Sequence, residues 1–185
     1  MRAAALGLAC VALAACAKPR PPAHWATGGA RLDLVPAAWT YDGDRVELRP
    51  MGDHAEVVVD GDVEAIIDRV GRVYTRYQHP VALLEPDGRL VGNEQQLLGT
   101  VGAAFAAQPG KANAWLSLRP DGRVGKFDET GRESPAGQWM GCAVTPYSMQ
   151  ACLLVSYLLY FEDEGVSGAD LPPVPITPMG GVIVR

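Results

Sequence analysis

The chain is predicted to be mainly β, built of stacked short hairpins with Asp-Gly turns plus one C-terminal helix. Three observations predict this. Gly and Pro are abundant, 21 and 15 of 185 residues, which suits many short elements joined by turns better than a helical bundle. Asp-Gly dipeptides at 42–43, 60–61, 87–88 and 121–122 are each flanked by strand-like residues, and Asp-Gly between such runs is a strong hairpin signal because Gly tolerates the positive φ of the primed turns. Two segments are close copies: Leu83-Leu84-Glu85-Pro86-Asp87-Gly88-Arg89-Leu90-Val91-Gly92 and Leu116-Ser117-Leu118-Arg119-Pro120-Asp121-Gly122-Arg123-Val124-Gly125.

The expected strands, in order, are Arg45 to Leu48, Glu56 to Val59, Val63 to Ile67, Arg72 to Tyr77, Val81 to Glu85, Arg89 to Val91, Leu97 to Val101, Asn113 to Leu118 and Arg123 to Phe127. Each is a short β-branched or aliphatic run bounded by turn residues. The Gly-Arg pairs at 71, 88 and 122 are spaced by 17 and 34 residues, so a degenerate 17-residue repeat, one hairpin per unit, accounts for them; coincidence among Gly-rich hairpin loops is the alternative. The middle copy, due near Phe105, is not recognisable, and Ala-rich Val101 to Ala107 reads as a helical turn ending before Pro109-Gly110. Thr145-Pro146 has the form of an N-cap followed by Pro at the first helical position, opening a helix over 147–161. A strand is the alternative there, because Val155, Tyr157, Tyr160 and Phe161 also suit β structure and Glu162-Asp163-Glu164 oppose a helix dipole. Either way Leu153, Leu154, Val155, Leu158 and Leu159 are core candidates, with an apolar membrane- or partner-binding surface as the rival reading.

The first sixteen residues, MRAAALGLACVALAAC, run from Arg2 through 13 apolar or small residues to Cys16. That is too short for a spanning helix and has the form of a secretion signal. Leu13-Ala14-Ala15-Cys16 resembles the lipobox of bacterial lipoprotein precursors. The resemblance implies cleavage before Cys16, a diacylglyceryl thioether on its sulfur and acylation of the new amine, including by palmitate; an ordinary cleaved signal beside a Cys is the alternative. Several acyl chains give stable anchoring. Ala17 follows the cysteine in place of the Asp that resembles an inner-membrane retention signal, so the expected location is the cell envelope, lipid-anchored, at the outer membrane.

The expected domain organisation is therefore a signal peptide over 1–15, a lipidated Cys and flexible tether over 16–30, a mainly β domain over 31–164, and a Pro/Gly-rich tail over 165–185. Ala17 to Ala30 carries three Pro and two Gly and would reach about 45 Å if fully extended. The tail holds Pro172, Pro173, Pro175 and Pro178 and ends in Val182-Ile183-Val184, either an edge strand or a peptide for a partner. Removing residues 1–15 deletes one Arg and no acid, leaving 15 basic and 21 acidic residues, a formal charge of −6. No basic face for phosphate is visible, which argues against a nucleic-acid partner.

With Cys10 in the signal and Cys16 lipidated, Cys142 and Cys152 remain. In an oxidising compartment they most simply pair; a buried thiol pair or a reactive Cys with a His from positions 24, 54 or 79 are the rivals. The strand, Asp-Gly turn, strand units and the closing Trp139, Gly141 and Cys142 are similar to bacterial envelope lipoproteins with a terminal W-x-G-C segment, a likeness over residues 55–161 that implies no particular activity.

One metal-binding pattern is begun and not completed in the sequence. Asp60-x-Asp62-x-Glu64 begins like a calcium loop, but Ala65 stands where the sharp-turn Gly belongs and Gly71 where the bidentate Glu belongs. H-E-x-x-H, C-x-x-C, G-x-S-x-G and phosphate-binding Gly-rich motifs do not occur. No catalytic residue, cofactor, metal or nucleotide is assigned. The expected role is a structural or interaction module held to a membrane through Cys16 and contacting an envelope protein; the alternative is an envelope hydrolase acting on peptidoglycan, peptide or glycan.

Overall fold

The computed structural model describes residues 20–41 and 43–163. The expected signal peptide, Cys16, Asp42 and the Pro/Gly-rich tail lie outside the described residues.

Twelve antiparallel strands form a closed barrel in which every strand pairs with its neighbours in sequence and β1 closes on β12. They are β1 (Ala37–Tyr41), β2 (Asp44–Met51), β3 (His54–Val59), β4 (Asp62–Asp68), β5 (Arg72–Thr75), β6 (Pro80–Leu84), β7 (Arg89–Gly92), β8 (Leu97–Val101), β9 (Phe105–Ala107), β10 (Leu116–Leu118), β11 (Arg123–Phe127) and β12 (Glu133–Met140), followed by the helix α1 (Pro146–Asp163). The mainly β expectation holds, as does the single C-terminal helix.

Three strands were not foreseen. β1 is Ala-rich, β12 contains Pro135 and Gly137, and β9 has only three residues. The expected helical turn over Val101 to Ala107 is corrected: β8 ends at Val101 and β9 occupies Phe105–Ala107, pairing with β8 and β10. The expected strand from Asn113 begins only at Leu116.

Alternate strand residues point inward, as a pleated barrel requires. Val46, Leu48, Ala55, Val57, Ile67, Val73, Ala82, Leu84, Leu90 and Val124 are buried in one apolar cluster with α1. On the opposite face of the same strands stand Arg45, Glu47 and Arg49 of β2, Glu56 of β3, Glu64 of β4, Arg72 of β5 and Arg123 of β11. The wall carries charge where a bilayer-spanning barrel would carry an apolar band.

α1 fills the lumen. Residues Ala151 to Tyr157 are all buried, and seven consecutive residues cover nearly two turns, so no face of this stretch meets solvent. Its partners come from all round the barrel. Trp139 of β12 donates its indole N–H to Ser156 Oγ at 2.9 Å, Tyr157 donates its hydroxyl to the Leu98 carbonyl of β8 at 2.6 Å, and Gln150 Nε2 donates to the Val101 carbonyl at 2.8 Å. Tyr160 meets Tyr41 of β1 with ring centroids 4.5 Å apart, and Trp115 meets Tyr157 at 5.3 Å. Val155, Leu158 and Leu159 face Val57, Ala65, Val73 and Val81 across a crevice of about 100 Å³. Thr145 caps the helix, its Oγ1 accepting the Ser148 backbone N–H at 3.0 Å, and Pro146 is the first helical residue.

The barrel therefore has a start rim, where α1 begins, and an end rim, where it finishes. Turns at the start rim recur at Gly71, Gly88 and Gly122, each with positive φ. Their carbonyls accept from Leu84, Val101 and Trp139 backbone N–H groups at 2.8, 2.7 and 2.8 Å. The 17-residue spacing is an advance of two strands around the barrel. The unrecognised copy falls at Ala104, whose carbonyl accepts from Leu118 N at 2.9 Å without a positive φ, so no Gly marks it in the sequence.

Gly99 faces the Tyr157 hydroxyl and the Ala107 carbonyl, so a Cβ there would collide with both, and its φ is +148. Gly99→Ala is expected to cost about 3 kcal/mol, lowering the melting temperature by roughly 10 °C. Gly131→Ala, at a turn glycine whose Cβ would meet nothing within 4 Å, should cost only about 1 kcal/mol. Thermal unfolding followed by circular dichroism checks both.

Candidate functional site

The sequence-assigned cysteines Cys142 and Cys152 are joined as a disulfide with Cα atoms 6.2 Å apart. The bond ties the link after β12 to the second turn of α1, and both residues are buried. In this state neither is a nucleophile. Cys16, assigned to lipidation, lies outside the described residues.

The three His are dispersed. His24 Nδ1 lies 3.4 Å from Glu85 Oε1, His54 Nδ1 lies 2.9 Å from Asp53 Oδ1, and His79 sits in the β5–β6 turn with its backbone N–H on Thr75 Oγ1 at 3.2 Å. The described serines are each committed to structure: Ser117 to Glu133 at 3.1 Å, Ser134 to the Lys126 carbonyl at 3.1 Å, Ser148 to the Cys142 carbonyl at 2.6 Å and Ser156 to the Cys152 carbonyl at 3.2 Å. Among the described residues no group of three or more His, Cys, Asp or Glu is arranged to hold a metal ion. Asp60, read as the start of a calcium-like pattern, turns β3 into β4 and accepts the Arg45 backbone N–H at 3.0 Å.

Three clefts are large. The first, of about 550 Å³, is an open groove on the wall of β1 and β2, lined by Pro36, Arg45, Glu47, Arg49, Pro50 and Met140, with Glu47 held by both Arg45 and Arg49. Of the remaining two, one, of about 540 Å³, opens on the wall where β11 and β12 lose register, lined by Thr40, Arg119, Arg123, Glu133 and Gln138. Its charges are spent on one another, Arg119 on Glu133 at 2.5 Å and Arg123 on Asp121 at 2.6 Å. The other, of about 660 Å³, lies at the end rim between Gln108, Lys111, Asn113, Lys126 and Asp128. There Lys126 Nζ stands 4.9 Å over the Tyr160 ring, closing off the aromatic floor. In none of these clefts is a nucleophile held by a base.

The surface is more distinctive at the start rim. Met51, Val70, Phe105, Met140, Val144 and Tyr147 are the exposed large apolar residues there, Met140 at 61% and Val144 at 68%. Strand direction places them together: Met51 ends β2, Val70 lies in the β4–β5 turn, Phe105 starts β9, Met140 ends β12, and Val144 and Tyr147 flank the start of α1. The end rim has one such residue among those described, Tyr77. Sequence reasoning missed this set because its members are scattered singly; the available signal was that each sits beside a turn of the same rim.

The segment expected as a flexible tether over 16–30 is, from Pro21, laid along the wall as a strap. Gln95 in the β7–β8 loop grips it in both directions, accepting the Ala23 N–H at 2.6 Å and donating to the Pro21 carbonyl at 3.1 Å. Arg72 then donates to the Trp25 and Ala26 carbonyls at 2.7 and 3.0 Å, and Trp25 meets Tyr74 edge-on at 5.0 Å. Gly29 N and Leu32 N donate to the Val70 and Arg69 carbonyls. Leu32 and Leu34 enter the core, and Thr145 Oγ1 donates to Asp33 at 2.8 Å. The Pro-rich composition concealed this docking because most of its bonds use backbone groups.

The chain has no match among protein families, curated proteins or solved structures.

Two outcomes follow for this region. Reduction of the Cys142–Cys152 bond, which closes a loop of sequence separation 10, should lower stability by about 3 kcal/mol on the chain-entropy account, measured by denaturant unfolding with and without reductant. The start-rim carboxylates Asp87 and Asp121 titrate below the ordinary Asp range, Asp87 chiefly through the Arg89 backbone N–H and Asp121 chiefly through the Arg123 guanidinium. A depressed folded-state pKa gives stability that is present above the unfolded pKa and lost as pH falls through the folded one. An acid titration of the melting temperature should therefore fall on the acid side of the ordinary Asp pKa, with a smaller fall in the Asp121→Asn variant.

Proposed function

We propose that this chain is a lipid-anchored interaction module of the bacterial cell envelope. Cys16 carries the lipid, the outer membrane is its site, and the start rim of the barrel receives a protein partner. The observation that carries the reading is the concentration of exposed apolar side chains on that one rim, Met51, Phe105, Met140, Val144 and Tyr147 among them. Exposed apolar surface is costly in water, and its gathering on one face marks an interaction site more often than chance.

The charged wall and the filled lumen support the same reading. Arg45, Glu47, Arg49 and Glu56 make the wall a solvated surface, and α1 takes the space in which a wide barrel would hold a ligand. The partner contacted is a protein, since the formal charge of −6 without the signal opposes nucleic acid.

Photo-crosslinking in the native envelope tests the reading. A crosslinker at Phe105 or Tyr147 should give one reproducible protein adduct that a crosslinker at Glu56 on the wall does not. Adducts of equal yield from rim and wall would contradict it. In parallel, Cys16→Ala should move the protein from the membrane to the soluble fraction; unchanged retention would refute the anchor.

A further inference from the structure

The start-rim reading leaves the chemistry of the protein partner open, and one sector of that rim narrows it. We propose that the sector around Tyr147 takes a protein segment whose apolar side chains are flanked by carboxylates, with Arg31 of the strap and Arg69 of the β4–β5 turn receiving those carboxylates. The proposal rests on the start-rim reading and adds to it the sign of the partner's charge.

Backbone and side-chain contacts make the sector one continuous surface. Pro50 and Met140 line the same groove, and Met51 follows Pro50. Arg69 donates its backbone N–H to the Asp53 carbonyl and its Nε to the Gly52 carbonyl, each at 3.2 Å, which sets the β4–β5 turn and Val70 against the β2–β3 turn. The strap lies on that turn too, Leu32 N donating to the Arg69 carbonyl at 2.9 Å. Asp33 accepts the Thr145 hydroxyl at 2.8 Å and so joins the strap to the start of α1, where Arg31 stands 5.5 Å over the Tyr147 ring. The strap thus supplies one of the two cations. The site is complete only while the strap is docked through Leu32 and Leu34.

The arginines of this sector differ from those elsewhere on the rim. Arg89 is held by Glu85 and Asp87 at 2.6 and 2.8 Å, Arg123 by Asp121 at 2.6 Å, and Arg119 by Glu133 at 2.5 Å. Arg31, its side chain 77% exposed, has Asp33 no nearer than 4.0 Å, and Asp33 is engaged by Thr145. Arg69 is exposed and gives its Nε to a carbonyl, with no ion pair among the described residues. The acids beside it are turned elsewhere: Asp53 meets His54 Nδ1 at 2.9 Å, and Asp68 accepts the Val70 and Arg72 backbone N–H groups at 3.0 and 2.9 Å.

A guanidinium meets a carboxylate through paired N–H donors, and an aromatic ring beneath it holds the plane without using those donors. Such pairs form the polar edge of an interface whose centre is apolar. Here the apolar centre is Met51, Val70, Met140, Val144 and Tyr147. The chain's negative net charge acts weakly against an acidic partner at this sector, because salt screens charges beyond about 8 Å.

The test is made on the full chain in the native envelope. A photo-reactive residue replacing Val144, which is 68% exposed, captures the partner, and the crosslinked peptide is sequenced by mass spectrometry. The captured segment should place Asp or Glu beside its attachment point. Arg31→Glu combined with Arg69→Glu should lower the adduct yield roughly tenfold, whereas Arg31→Lys with Arg69→Lys should retain it. Arg76→Glu with Arg132→Glu changes the net charge equally at the end rim and should leave the yield unchanged. Lysine in place of the captured segment's acids should lower the adduct of the unaltered chain and restore that of the charge-reversed one. A captured segment without acids, an adduct that survives charge reversal at 31 and 69, or no restoration would overturn the acidic partner while leaving the start-rim site in place. A Val144 probe that captures only lipid, or no more protein than a probe at Glu56, would overturn the start-rim reading and this inference with it.

Discussion

A sheet of twelve strands encloses more space than its own inward side chains can fill. Eight strands already give an interior that side chains just occupy, and a wider barrel needs a plug, a ligand or water. Here the plug is α1, whose diameter with side chains of about 10–12 Å matches the extra width. The match explains an otherwise odd composition. Ala151 to Tyr157 has no polar face, and its two polar groups, the Ser156 and Tyr157 hydroxyls, find acceptors at the Cys152 and Leu98 carbonyls. Burial without partners would cost several kcal/mol for such groups. The Tyr157 phenol is also pushed well above its ordinary pKa by burial, so it stays a neutral donor.

Much else depends on this helix. The disulfide holds its first turns to the link after β12, the Thr145 cap is oriented by Asp33 from the strap, and the Trp39–Trp139 stack closes the β1–β12 seam against it. Because the lumen is occupied, the surfaces left for binding are rims and wall. The two rims differ in surface: the start rim carries Met51, Phe105, Met140 and Val144, while Tyr77 is the exposed large apolar residue of the end rim among those described.

The hairpins around Asp60-Gly61, Asp87-Gly88 and Asp121-Gly122 were legible because turn chemistry is local: the Asp87 and Asp121 carboxylates accept their Arg89 and Arg123 backbone N–H groups at 3.1 Å in both copies. β12 was not legible because Pro135 and Gly137 break alternation where the strand bulges against β11, and β9 because three residues carry no period. The helix was legible as a helix from Thr145-Pro146 and its length. Its place inside the barrel was signalled by the lack of an amphipathic face, since a helix apolar all round must be buried all round. Closure of β1 on β12 had no local signal, for it joins segments about a hundred residues apart. The same holds for the candidate site, where six apolar residues meet on one rim only because strand direction brings their turns together.

Native-state amide hydrogen exchange of the intact protein tests the plugged barrel most directly. If α1 fills the lumen and β1 closes on β12, the amides of residues 151–157 and of Trp39 and Trp139 should open only with global unfolding and share its free energy. Exchange of the 151–157 amides at a far lower opening free energy than the strands, with the sheet still protected, would contradict the account.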